Sequence, residues 1–110
     1  MDKQCELVSV IIPTYNRFKC LLETIKSIKN QTYKNIEIIV VNDHSSENDY
    51  YSHDWSKENV KIIQLLKGTK EIYNHSAPGI VRNHGIKIAS GKYIAFCDDD
   101  DMWLPSKVEL

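Results

Sequence analysis

Four short apolar runs punctuate the chain, at residues 7–12, 36–41, 60–66 and 93–97, and the last of them ends abruptly in Asp98, Asp99, Asp100 and Asp101. The first is continuous, which predicts a strand buried on both faces, as in a parallel sheet, and the second is a further apolar, β-branched strand pattern. Only Ser9 interrupts the first run, and Pro13 is expected to end it because proline has no N–H for the ladder. The fourth run, bounded by Gly91 and the aspartates, reads as a buried strand feeding a loop. Between the first and second runs, Phe18, Leu21, Leu22, Ile25 and Ile28 recur at helical spacing, predicting an amphipathic helix over 17–31 with Asn16 as its N-cap. Pro78 and Gly79 open a second helical pattern with Ile80, Val81, His84, Gly85, Ile88 and Ala89 on one face and Gly91 past its end. Residues 47–59 are polar with Tyr50, Tyr51 and Trp55 set among them, predicting a short irregular helix. Residues 67–76 read as a mobile loop, and Pro105 as the start of a further helix.

The order is strand, helix, strand, irregular segment, strand, helix, strand. That alternation predicts an α/β fold, a mainly parallel sheet with right-handed crossovers and helices on both faces. The polar clusters after the first, second and fourth strands then share one edge, the carboxyl ends, where open α/β sheets bind ligands.

Composition narrows the partners. The chain has 110 residues, 42% hydrophobic and 26% charged, enough for one domain with a core. Its net charge of −1 comes with scattered lysines and arginines, so no nucleic-acid or anionic-membrane partner is expected. Cys5, Cys20 and Cys97 are odd in number and form no CxxC pair, which points to small hydrophobes or free surface thiols in a reducing compartment, the cytoplasm. His44, His53, His75 and His84 lack zinc-ligand spacing. Residues 1–6 show no signal-peptide pattern, and no apolar run approaches the roughly 20 residues that span a bilayer.

Four adjacent carboxylates repel one another and call for a cation. Hard oxygen ligands in small number suit Mg²⁺ or Mn²⁺ bridging to substrate phosphates; a solvated acidic turn is the plain alternative. After the first strand the chain has Pro13, Thr14, Tyr15 and Asn16 in place of a glycine-rich phosphate loop, and no P-loop lysine, so dinucleotide-dehydrogenase and P-loop readings fail there. Bound phosphate would be met by metal and basic side chains instead. Tyr15 can stack on a base or pack in its loop. Asp43 can accept from a base N–H or form an Asx-turn or helix cap, and Arg82 can reach a base or phosphate or lie on the surface.

Taken together and in order, residues 8–16, 39–46, Arg82 to Ile86 with Ala89, Ser90 and Gly91, and 93–101 with Trp103, Pro105 and Lys107 resemble the family-2 nucleotide-sugar glycosyltransferases of GT-A fold, a Rossmann-like architecture. The resemblance covers nearly the whole chain. It implies that Pro13, Thr14, Tyr15 and Asp43 surround the base of a donor, typically uracil, and that Arg82 contacts base or pyrophosphate. It also implies that Asp98, Asp99 and Asp100 carry the DxD function, with Asp99 near the ribose and Asp100, with Asp98, on the Mn²⁺ or Mg²⁺. Four aspartates admit more than one register, so Asp98 or Asp101 can share these roles.

In that family the acceptor site and the catalytic base of an inverting displacement follow the DxD region, so both are expected beyond Leu110 and the chain reads as the donor-binding part of a longer protein. The acceptor, a saccharide, lipid or protein, is not specified by these residues. A truncated sheet edge and an unfinished helix are expected to expose apolar surface that favours self-association. Two other classes stand beside this reading: a nucleotide-diphosphate-binding module without transferase activity, and a metal-dependent phosphotransfer enzyme, which would more usually carry its nucleophilic Asp after the first strand.

Overall fold

The computed structural model describes residues 6–69, 72, 78–104 and 107. The element order is β1 (Val8–Thr14), α1 (Phe18–Lys29), β2 (Ile36–Asn42), α2 (Asp49–Ser52), α3 (Trp55–Glu58), β3 (Lys61–Gln64), α4 (Pro78–Ile88) and β4 (Tyr93–Phe96). All four strands are parallel, in the order β3-β2-β1-β4, with Val8 opposite both Ile36 and Tyr93. The helix expected from Pro105 lies outside the described residues, as do Cys5, His75 and most of the 67–76 loop.

Alternation along the central strands builds two cores. Val8, Val10 and Ile12 of β1, with Ile38 and Val40 of β2, pack against Phe18, Leu21, Ile25 and Ile28 of α1 and against Tyr50 and Trp55 from the two short helices. Ile11, Ile39 and Val41 point the other way, onto Val81 of α4. Both sheet faces are therefore covered, as the apolar run over 7–12 required. Residues 47–59 resolve into two single-turn helices, because Tyr50 and Trp55 are both drawn into the α1-side core.

Four expectations are corrected. Pro13 does not end β1, which continues to Thr14. The Thr14 carbonyl accepts from the Asp43 N–H on the β2 side, whereas the Ile11 carbonyl accepts from the Cys97 N–H on the β4 side. Pro13 is in step with Ile11, so its nitrogen faces the β4 side, where pairing has already stopped at Ile11 opposite Phe96. Asn16 is not the N-cap of α1. It takes a left-handed φ of 51° and its side chain accepts from Ser46 and Glu47, while the free N–H groups at the helix start go to Tyr50 and Glu47. β4 is exposed rather than buried: Tyr93, Ile94 and Phe96 are open to solvent, since among the described residues only β1 pairs with it. In α4, Val81 and Gly85 are buried but Ile80 and Ile88 are exposed, so the buried face is narrower than its spacing predicted.

Two glycines are fixed by close approach. A Cβ on Gly85 would lie 2.6 Å from Ile11 Cγ2, and one on Gly91 would lie 2.5 Å from Ser9 Oγ and 2.7 Å from the Ser9 nitrogen. Ser9 itself, the single polar residue in the first apolar run, is fully buried and donates to Glu37 Oε1 at 2.7 Å. The same oxygen accepts the Ser90 N–H, and Glu37 Oε2 accepts from Lys61 Nζ at 2.5 Å, so one carboxylate ties three strands and the turn before β4 together at the amino ends. Burial pushes the Glu37 carboxyl up, but the bonds from Lys61, Ser90 and Ser9 outweigh it and hold its pKa below the ordinary 4.5. That stability is complete above the ordinary value and is lost as pH falls through the lowered one. Glu37→Gln is expected to cost about 1 kcal/mol at neutral pH, the exposed lysine adding little, and the gap to wild type should close in urea titrations repeated at falling pH. Gly91→Ala should cost about 1 to 3 kcal/mol in the same assay, whereas Gly79→Ala, with nothing within 4 Å, should be neutral or stabilising.

Candidate functional site

At the carboxyl edge the loops after β1, β2 and β4 enclose a crevice of about 260 Å³ lined by Pro13, Thr14, Tyr15, Arg17, Asp43, Val81, Asp98 and Asp99. Six of the seven residues expected to bind nucleotide line it. The seventh, Arg82, stands one residue from Val81 on α4 and reaches Asp98 Oδ1 at 3.3 Å.

Local bonding fixes the walls. Asn42 turns the chain out of β2 by accepting the Ser45 N–H at 2.9 Å, and His44 takes a left-handed φ of 56° in that turn. Asn16 N–H donates to Ser45 Oγ, so the β1 and β2 loops are stitched to each other. Asp43 caps the helical turn in which the Ile72 N–H returns to the Gly68 carbonyl: Oδ1 accepts the Thr69 N–H at 2.8 Å and Oδ2 the Thr69 hydroxyl at 2.6 Å.

Asp99 is the pivot of the acidic loop. It is buried, and its Oδ2 accepts from Thr14 Oγ1 at 2.9 Å and from the Tyr15 N–H at 3.4 Å. Tyr50 OH sits 2.6 Å from Thr14 Oγ1 and accepts the Arg17 N–H, extending the network under the crevice floor. The Asp99 carbonyl accepts from Thr24 Oγ1 of α1, and Ser27 Oγ accepts the Trp103 N–H, which seats the rest of the loop on the helix. Burial raises the Asp99 pKa despite the lowering effects of Thr14, Tyr15 and Arg17, and burial likewise pushes the neighbouring Cys97 thiol up to about 12, so that cysteine is an inert filler of the core.

The other aspartates face outward. Arg17 Nη1 holds Asp100 at 2.9 Å and approaches Asp99 at 3.6 Å, while Arg82 holds Asp98. Arg17 was not singled out by the sequence reading; its one signal was its place directly after the loop cluster at the start of α1. Thr69 was missed too, lying in a stretch read only as loop. Arg82 Nε is buried with no hydrogen-bond partner among the described residues, and its guanidinium lies 5.5 Å from the centre of the Phe96 ring.

Among the described residues no three carboxylate, histidine or cysteine side chains gather to cage a cation. Asp98 and Asp100 are nevertheless exposed hard-oxygen donors at the crevice mouth. Exposed carboxylates are the donor type that Mg²⁺ or Mn²⁺ takes one or two at a time with water and substrate phosphates, and here each is paired with an arginine. No helix of the described residues is long and apolar enough to cross a membrane.

The family described as glycosyl transferase family 2 matches residues 9–110. An uncharacterized glycosyltransferase of Rickettsia bellii is 46% identical over 107 residues, covering 94% of this chain and 14% of the relative. An Escherichia coli protein named as a UDP-Glc:alpha-D-GlcNAc-diphosphoundecaprenol beta-1,3-glucosyltransferase is 42% identical over 108 residues, covering 94% of this chain and 39% of the relative. Among solved structures, S. aureus TarS 1-349 in complex with UDP superposes with a TM-score of 0.76 at 30% identity, over 91% of this chain and 29% of that one. A mannosyltransferase of Pyrobaculum calidifontis in complex with GDP-Man and Mn²⁺ shares the fold, with a TM-score of 0.70 at 22% identity over 89% of this chain and 28% of that one. The chain thus spans well under half the length of each of these proteins. Its four parallel strands with helices on both faces form the amino-terminal part of the GT-A fold, and by its match over residues 9–110 the chain belongs to glycosyl transferase family 2.

Proposed function

We propose that the crevice binds the nucleoside-diphosphate part of a sugar donor, a UDP-sugar, and that a protein carrying this chain transfers the sugar to an acceptor with inversion. The observation that carries the reading is the convergence of Thr14, Tyr15, Asp43 and Asp99 with Arg17 and Arg82 at one carboxyl edge. Tyr15 is 41% exposed at the crevice wall, an aromatic face free to stack on a base. Asp43 offers a fixed acceptor for a base N–H. Arg17 and Arg82 bring two guanidinium groups to the mouth, where a diphosphate competes with Asp98 and Asp100 for them. The unpartnered Arg82 Nε is a further donor on that side. Relatives support the donor class: the E. coli relative is named for UDP-Glc, and TarS 1-349 has been solved with UDP and with UDP-GlcNAc.

A divalent cation on Asp100 and Asp98 would supply Lewis-acid stabilisation of the departing nucleoside diphosphate. The chain's own residues do the remaining work of this half reaction. Thr14 and Tyr15, through Asp99, hold the acidic loop against the β1 loop, so base and diphosphate contacts stay at a fixed separation. The two arginines neutralise negative charge whether it sits on aspartate or on phosphate.

Isothermal titration with UDP, with and without Mn²⁺, tests the reading. Binding should be metal-dependent and should be abolished or weakened at least tenfold in Asp100→Ala; metal-independent binding that this variant leaves intact would remove the aspartate from the site. Asp99→Asn gives a separate check. Because the folded state raises the Asp99 pKa, it favours the protonated form, and the stability of wild type relative to this variant should fall as pH rises from the ordinary value of 3.8 toward neutrality. Thermal melts across that range should show the trend, and a flat difference would mean Asp99 is not desolvated.

A further inference from the structure

The loop after β2 and the segment after β3 meet at one carboxylate. Thr69 donates its backbone N–H to Asp43 Oδ1 at 2.8 Å and its hydroxyl to Asp43 Oδ2 at 2.6 Å, and both residues are buried. Rotation of the carboxylate about its Cβ–Cγ bond would break both bonds together, so its orientation is fixed before any ligand arrives. Asp43 also lines the crevice beside Pro13, Thr14 and Tyr15. Thr69 therefore decides how that acceptor is presented to whatever occupies the base end.

An ionised carboxylate has about four acceptor positions, two along its front edge between the oxygens and one on each flank. Two donors from a single residue, each on a different oxygen, straddle the front edge. The flanks remain, and each takes one donor. Uracil presents a single imide N–H between two carbonyls and matches a flank. Guanine presents two adjacent N–H donors and needs the front edge, while cytosine sets a bare ring nitrogen, an acceptor, beside its one amino donor.

We propose that Thr69 is a positioning residue that sets base selectivity, holding Asp43 so that it accepts from a one-donor base of the uracil type and not from guanine. The proposal rests on the donor-site reading above, and it adds the base filter and the residue that builds it. Preorganisation of this kind acts on discrimination more than on fold: removing the hydroxyl leaves the backbone N–H bond in place but frees one oxygen to swing.

The test is titration of wild type, Thr69→Val and Thr69→Ser with UDP, CDP and GDP in the presence of Mg²⁺, alongside a thermal melt of each variant. Wild type should bind UDP at least about tenfold tighter than GDP or CDP. Thr69→Val should weaken UDP by about tenfold while changing GDP less, so that the ratio narrows, and Thr69→Ser, which keeps the hydroxyl, should restore both. Equal binding of UDP and GDP by wild type would overturn the inference without any variant, as would a folded Thr69→Val protein with an unchanged ratio. Should Thr69→Val fail to fold, Thr69→Ala, which also lacks the hydroxyl, takes its place with the same expected and overturning results. Failure of wild type to bind any of the three nucleotides would overturn the donor-site reading, and this inference with it, and is a different result from a lost preference.

Discussion

The structure depends most on the buried bond between Asp99 and Thr14. A carboxylate withdrawn from water is costly, and this one is offset by the Thr14 hydroxyl, the Tyr15 N–H and the approach of Arg17. Through Tyr50 the same network reaches the start of α1 and, through the Tyr50 carbonyl, Trp55 Nε1 and Gln64 Nε2. Four stretches distant in sequence are thereby held in register around one polar knot inside an otherwise apolar layer. Such a knot is stable only when every member is satisfied, so it specifies a single arrangement of the loops it joins.

Two ends of the same sheet are held by different chemistry. At the amino ends, Glu37 binds Ser9, Ser90 and Lys61, and Gly91 lets the turn before β4 lie on Ser9. Its charge is matched by a lysine, so acid loosens it. At the carboxyl ends, Asp99 is desolvated and prefers its proton, so acid relieves it. The amino-end carboxylate is a structural clasp, whereas at the carboxyl end burial outweighs the donors that Asp99 has gained.

Much of this was legible in the residues. The continuous apolar run over 7–12 gave the doubly covered parallel sheet, and the polar clusters after three strands marked its carboxyl edge. The misreadings share a cause: they turned on which side of a strand or loop a group faces. Pro13 is tolerated because β4 has ended beside it. Asn16 reads as a cap from local sequence, yet its partners are Ser46 and Glu47, thirty residues on. β4 looks buried from composition alone, since nothing in its own sequence reports that among the described residues one neighbour pairs with it. Arg17 and Thr69 were invisible for the same reason, their roles being defined by Asp100, Asp99 and Asp43 across the fold rather than by any local pattern.

The most direct measurement is a backbone-amide NMR titration of the chain with UDP and Mg²⁺. If the carboxyl-edge crevice is the nucleotide site, the amides of Thr14, Tyr15, Arg17, Asp43, Thr69, Val81, Asp98 and Asp99 should shift together and saturate with one dissociation constant. Ser9, Glu37 and Ser90, at the opposite end of the sheet, should stay where they are. Shifts centred instead on the lysine-bordered groove of Lys29, Lys34 and Lys57 near the amino ends, with the crevice amides unmoved, would contradict the account.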